Sequence, residues 1–318
     1  MNDNRGPVRR VLALSRTVSD LDRAVAFYRE ALDFSLLGRE RREQSAWAEL
    51  LGLPRVRGEV ARLGLGEEKL ELVACEPAGR AYPPESGVAD HWFQHVAIVV
   101  SDMAAACERL DARPFEAISE NGPQQLPANT GSVTAYKFRD PDGHPLELLH
   151  FPTGSGDPGW QRKPGLFLGL DHSAITVADL NESLDFYTRL LGFTIAGRSL
   201  NSGPAQANLD HAANVHVRVV ALQPANAAGA PHLELLCYER PAGQAMLPDT
   251  KPDDVFADRL LLEVSDLPAL VRVLEAEAVS FLSPGMVRLA NGERAALVRD
   301  PTGHLLLLSE SAGAAQAR

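Results

Sequence analysis

Cysteine is scarce in this chain of 318 residues: only Cys75, Cys107 and Cys237 occur, odd in number and scattered. That excludes a disulfide framework and any cysteine-based metal spacing, and it fits buried thiols in a reducing cytoplasm. No apolar run approaches membrane-spanning length, and the first ten residues, MNDNRGPVRR, carry no apolar signal core. Both absences point to a soluble cytoplasmic protein with no membrane partner. An excess of positive charge is missing too. The net charge of −11 argues against nucleic acid as a partner. What the chain does have is core-forming material, 45% hydrophobic, in a length that suits two domains of about 150 residues.

Its most informative feature is an internal repeat. RTVSDLDRA, IVVSDMAAA, ITVADLNES and LEVSDLPAL each carry a strand-like run into an aspartate, at Asp20, Asp102, Asp179 and Asp266, with periods of 82, 77 and 87 residues. Ser or Asp before an apolar-periodic run is a helix start. Leu21, Ala24, Val25 and Tyr28 form a helical stripe, as do Leu180, Leu184, Tyr187 and Leu191. Two weaker strand-like stretches and one strong one follow each helix; the strong ones are KLELVAC, HPLELLHF, PHLELLCY and HLLLLSE. Each unit therefore reads strand, helix, three strands. The spacing predicts modules at about 8–76, 92–152, 168–239 and 256–310, grouped as domains 1–152 and 165–318 around a Pro- and Gly-rich linker at 153–164. Asn201–Asn208 and Gln223–Pro231 read as loops over a site.

Two of the four first strands carry a histidine seven residues before the aspartate. His95, Ala97 and Val99 share one strand face, and His172, Ala174 and Thr176 share another. The small residue after each histidine leaves room in front of the imidazole.

The fourfold module, the helix endings FYREALDF and FYTRLLGF, and the last strand DPDGHPLEL resemble the vicinal oxygen chelate superfamily, which includes glyoxalase I, extradiol dioxygenases and the fosfomycin and bleomycin resistance proteins. The resemblance covers nearly the whole chain. It implies an α+β fold in which four βαβββ modules pair into two cup-like half-barrel sheets, with metal ligands on the first and last strands of paired modules. The first-strand positions are Ala13, His95, His172 and Arg259; the last-strand positions are Glu71, Glu147, Glu234 and Leu307. Only units two and three have both ligand types. The implied set is His95, Glu147, His172 and Glu234, around one divalent ion among Fe²⁺, Zn²⁺, Ni²⁺, Mn²⁺ and Co²⁺. Pairing across halves, second unit with third, gathers all four. Pairing within halves splits them, with Glu71 joining His95 and Glu147.

A lone buried histidine is more often a hydrogen-bonded core residue than a ligand, but two at matching module positions, each with a glutamate at the matching last strand, shift the balance to metal. Glu71 shares the LEL context without a histidine, which leaves Glu234 the least secure of the four. His144 and His304 follow the DPDG and DPTG turns and read as turn residues, while His150, His211, His216 and His232 read as surface or loop histidines, with His232 able to orient a neighbour on its strand face. Arg259 is expected to fill the ligand-free cup as an ion pair with Glu263, with anion binding as the alternative, and Tyr136 and Tyr238 are expected to pack in the core, with substrate contact as the alternative.

The resemblance implies a metal-dependent isomerase, epimerase or lyase acting on a small oxygen-chelating substrate. The metal stabilises an enolate or similar oxyanion, and Glu147 or Glu234 serves as general base, with Glu147 favoured by its DPDG turn. An Fe²⁺ extradiol-type dioxygenase using His95, His172 and Glu147 is the alternative, and a metal-free binding protein is the third. The partner expected is a small molecule, with the chain a monomer or homodimer.

Overall fold

The computed structural model describes residues 6–225 and 231–311. Its four first strands are Val8–Val18, Gln94–Val100, Phe167–Thr176 and Arg259–Val264, and each runs into a helix capped by the expected aspartate. Asp20 accepts from the Arg23 amide, Asp102 from Ala105, Asp179 from Asn181 and Glu182, and Asp266 from Ala269. Each cap satisfies a helix N–H that would otherwise lack a partner, and loss of such a cap costs roughly 1 kcal/mol. The apolar stripe of Leu21–Leu32 is buried as its period requires. In unit three the helix Leu180–Asp185 passes into a π-helical turn at Phe186–Leu190.

Two sheets result, of eight and nine strands, and each is shared between the halves. In one, the antiparallel pair Val8–Val18 and Arg259–Val264 joins unit one to unit four. In the other, Gln94–Val100 and Phe167–Thr176 join unit two to unit three. Each last strand lies parallel to its own unit's first strand, Glu68–Glu76 on Val8–Val18 and Pro145–His150 on Gln94–Val100, for instance. The first of the middle strands in units two and four shrinks to two residues, Glu116–Ala117 and Val287–Arg288, while Thr134–Arg139 and Arg294–Arg299 keep six.

Helix packing follows the other division. One core cluster gathers Leu14, Tyr28 and Leu32 with Val96, Ile98 and Leu148, all from the first half. Another gathers Tyr187, Leu191 and Leu235 with Leu262, Leu270 and Leu308, all from the second. The helix-ending tyrosines tie neighbouring units within each half. Tyr28 donates to Asp140 in the DPDG turn, and Tyr187 to Asp300 in the DPTG turn. Both turns need their glycines, Gly143 at φ 94° and Gly303 at φ 112°, a region that disfavours other residues. His144 and His304 then reach outward to the Val255 and Thr176 carbonyls at 2.8 Å. They are turn residues, as expected.

Sheets shared between the halves, with Phe167 and Leu170 packed into the first cluster and Val8 and Val11 into the second, make a direct prediction. Expressed alone, a 1–152 chain leaves the edges of Val8–Val18 and Gln94–Val100 unpaired, and such edges invite association. Co-expressed 1–152 and 165–318 chains are expected to co-purify as one 1:1 complex, whereas each alone self-associates or aggregates. Analytical ultracentrifugation of the three preparations checks this, and two stable monomeric halves would contradict it.

Candidate metal centre

The joined strands of units two and three place the candidate ligands by register. His172 lies opposite Ala97, and His95 opposite Ala174, across the antiparallel pair. Ala97 in turn lies beside Glu147 and Ala174 beside Glu234 on the parallel neighbours. Two fully buried alanines thus form the floor of the cup. Their small side chains leave the space above them to the four longer ones.

His95 Nε2 and His172 Nε2 stand 3.3 Å apart. Glu147 Oε2 lies 3.0 Å from the first and 3.8 Å from the second. Ligand atoms of His95, Glu147 and His172 fall within 4.8 Å of one another, and all three side chains are buried. Glu234 Oε2 reaches His172 Nε2 at 3.6 Å but stands outside that tight trio, with 21% of its side chain exposed. Separations near 3 Å suit donors that share one ion at about 2.1 Å in octahedral geometry. The donor chemistry, imidazole nitrogen with carboxylate oxygen, suits the same first-row divalent ions. The residues present therefore fit such an ion.

Charge in the cup is balanced by close partners. Burial pushes Glu147 toward protonation, but Lys137 and then His95 outweigh it and hold the carboxyl at about 2. Burial acts the same way on Glu234, and His172 and then His232 hold it at about 2. Burial disfavours the His172 imidazolium, yet Glu234 and then Asp171 raise it to about 9. His95 is pushed down by burial, against the pull of Glu147. Of the two histidines, His172 is the one whose neighbours favour the protonated form. A metal ligand must be neutral imidazole, so metal uptake near pH 7 is expected to release about one proton per ion, with affinity rising as pH approaches 9. Titration calorimetry in buffers of different ionisation heat measures that proton, and its absence would mean that His172 is already neutral. The stability sign is the reverse. His172 titrates higher in the folded chain than its ordinary 6.5, so its charge stabilises the metal-free fold fully below 6.5 and ceases to do so as pH rises through about 9.

Several residues around the cup were not foreseen from the sequence. Asp171 Oδ2 accepts from His172 Nδ1 at 2.9 Å, fixing the ring so that Nε2 faces the cup. Strict alternation would turn Asp171 to the opposite face, but a register shift between Leu170 and His172 breaks it there. His232 lies 4.0 Å from Asp171 and 3.6 Å from Glu234, in the orienting place its strand face allowed. Lys137, buried directly across from Glu147, binds Asp210 at 2.6 Å. Asp210 also accepts from Tyr238 at 3.0 Å and Gln206 at 2.8 Å. Tyr238 therefore lines the cavity while its ring packs against two core clusters, whereas Tyr136 packs in the core against Phe138.

Asp210 and Gln206 belong to a short helix, Pro204–Asp210, where loop was expected over Asn201–Asn208. Gly203 at φ 89° turns the chain and Pro204 opens the helix at its first position, where proline is favoured. The other expected loop, Gln223–Pro231, lies largely outside the described residues. The 153–164 linker supplies Trp160, 5% exposed, to the wall of the same cavity. That cavity measures about 670 Å³ and contains all four candidate ligands in its lining.

The expected Arg259–Glu263 pair does not form. Four residues along a strand span about 13 Å, so sharing a face does not bring the two together. Glu263 pairs with Arg10 at 2.6 Å instead. Cys75, Cys107 and Cys237 are free thiols, and among the described residues no helix is long and apolar enough to cross a membrane.

Comparison with known proteins agrees with this architecture. Lactoylglutathione lyase GLX1 of Arabidopsis thaliana is 29% identical over 188 residues, 59% of this chain and 56% of that protein, so the match spans little more than half of its length. The lactoylglutathione lyase of Salmonella typhimurium is 29% identical over 140 residues, 44% of this chain and 91% of that protein. The crystal structure of glyoxalase I from Zea mays superposes with a TM-score of 0.60 at 20% identity, covering 95% of this chain and 92% of that one, a likeness of fold. The profile of the Glyoxalase/Bleomycin resistance protein/Dioxygenase superfamily matches residues 10–148 and again 169–308. Two matches in tandem, together covering most of the chain over a fold of four strand–helix–strand units, mean that the chain belongs to that superfamily.

Proposed function

We propose that the protein is a divalent-metal-dependent lyase or isomerase of glyoxalase type, with His95, Glu147, His172 and Glu234 as the metal ligands. The observation that carries this reading is the meeting of two imidazole Nε2 atoms and Glu147 Oε2 above Ala97 and Ala174, inside a cavity roomy enough for a small substrate. The relatives named lactoylglutathione lyase support the reaction class. A divalent ion held there would supply Lewis-acid polarisation of paired substrate oxygens.

The chain's own residues divide the remaining work. Asp171 holds His172 in the orientation that presents Nε2. Lys137 keeps Glu147 ionised. Glu147, buried and within 3.8 Å of both histidines, is the firmer ligand. Glu234, more exposed and outside the tight trio, is better placed to accept a proton from a substrate carbon next to a carbonyl. Trp160 and the Pro204–Asp210 helix wall the cavity and limit water in it. We further propose the units 1–152 and 165–318, a cytoplasmic location consistent with the free thiols, and a small-molecule substrate as the main partner.

The test combines metal analysis after chelator-free purification with turnover of the glutathione adduct of a small 2-oxoaldehyde, a substrate chosen from the relatives' names. Solvent deuterium entering product at the reacting carbon is the expected mark of the base. A chain that holds no metal, and whose activity is indifferent to chelation and re-addition, would sink the proposal. One observation favours a second reading: the tight trio His95, Glu147 and His172 is by itself a two-histidine, one-carboxylate face of the sort used by Fe²⁺ oxygenases. Oxygen uptake with a catechol would promote it.

A further inference from the structure

The other cup, built by units one and four, carries no histidine and encloses a cavity of about 280 Å³, just below the lower end of ligand pockets at about 300 Å³. Arg259 stands at the position that His95 and His172 hold in the first cup, opposite Ser15. It is 2% exposed, and its guanidinium is fixed by neutral oxygens alone. Nη1 donates to the Pro252 carbonyl at 2.5 Å, and Nη2 to Thr17 Oγ1 at 3.0 Å and Ser15 Oγ at 3.3 Å. Among the described residues no carboxylate lies within ion-pair distance of it. Asp258 is committed to Arg16 at 2.8 Å, Glu71 to Arg62 at 3.1 Å, and Glu263 to Arg10.

A guanidinium stays charged, and a buried charge with no carboxylate in direct contact is costly; Asp258, Glu71 and Asp253 act on Arg259 only from beyond ion-pair distance. The wall around it is also basic for so acidic a chain. Arg42, Arg62, Lys69 and Arg259 line it with Glu71 and Glu293, Arg42 and Arg62 also pairing with Glu40 at its edge, and the buried Nε of Arg42 has no hydrogen-bond partner among the described residues. Apart from Ser15, Asn291 and Ser309 the rest is apolar, with Trp47, Val60, Val73 and Leu307. We propose that this second cup binds a small organic carboxylate with an apolar body, its carboxylate accepting from Arg259 and its body resting on Trp47 and Leu307. The site is separate from the candidate metal centre and takes no metal part in binding.

Benzoate and its neutral isostere benzamide test this by titration calorimetry. A metal-stripped His95→Ala chain is used, so that a carboxylate cannot bind an ion in the first cup. Benzoate is expected to bind once per chain, at least tenfold tighter than benzamide. Arg259→Met is expected to weaken benzoate by about 10–100-fold, the range for a charge-assisted hydrogen bond. Should the Arg259→Met chain fail to fold, benzoate in the His95→Ala chain alone must show intermolecular nuclear Overhauser contacts to the Leu261 and Leu307 methyls. Equal binding of the two probes, unchanged binding after Arg259→Met, contacts to Val219 and Leu236 of the first cup instead, or no benzoate binding at millimolar concentration would each overturn the proposal.

Discussion

Replacing His172 by alanine is expected to strip the protein of metal. The substitution removes a proposed ligand nitrogen, and it also leaves Asp171 and Glu234 facing a cup without the cation that now balances them. The fall in affinity should exceed the roughly 10–100-fold typical of losing an outer partner of a metal ligand. His95→Ala should behave alike, since Nε2 of His95 is 3.0 Å from Glu147 Oε2 in the same trio. Glu71→Ala belongs to the other cup, in the sheet of units one and four, and should leave metal content unchanged. Equilibrium dialysis with elemental analysis of the three chains decides the matter. Equal loss in Glu71→Ala and His172→Ala would contradict a centre made by units two and three.

A second large effect separates the two carboxylates. In Glu234→Gln the side-chain oxygen remains but can no longer accept a proton at neutral pH. Metal content is expected to hold while turnover falls by about 10²–10⁴-fold, the usual cost of losing a general base. Glu147→Gln should act differently. Its carboxylate is buried against both histidines and held ionised by Lys137, so its neutralisation removes charge from the ligand trio and metal affinity should fall first. The oxygenase reading makes the opposite claim for Glu234, since two histidines and Glu147 suffice there and Glu234→Gln would matter little. Measuring bound metal and turnover on the same preparations distinguishes these outcomes. Full activity in both variants would remove carboxylate base catalysis from the proposal.

Much of the architecture was legible because it is written in short-range signals. Asp20, Asp102, Asp179 and Asp266 cap helices through amides two or three residues away. The DPDG and DPTG turns close on their own aspartates, with Asp140 accepting from the His144 amide and Asp300 from that of His304. Alternation alone puts His95 with Ala97 and His172 with Ala174 on common faces, and it was the resemblance that named them, with Glu147 and Glu234, as candidate ligands. Asp171 escaped that logic because a local register shift defeats alternation at that one residue. Lys137 escaped it because its significance depends on Glu147 across the strand pair and Asp210 some seventy residues away.

The sequence by itself determined four strand–helix–strand units, their caps and turns, and which two units carry histidine and glutamate together. Only the tertiary structure decided that sheets join across the halves while helices pack within them, because strand edges and apolar helix faces are satisfied by different partners. It alone brought Asp171, Lys137, Asp210 and Trp160 to the first cup. It alone left Arg259, among the described residues, without a carboxylate at ion-pair distance in the second, because four residues of extended strand hold Glu263 too far away to reach it.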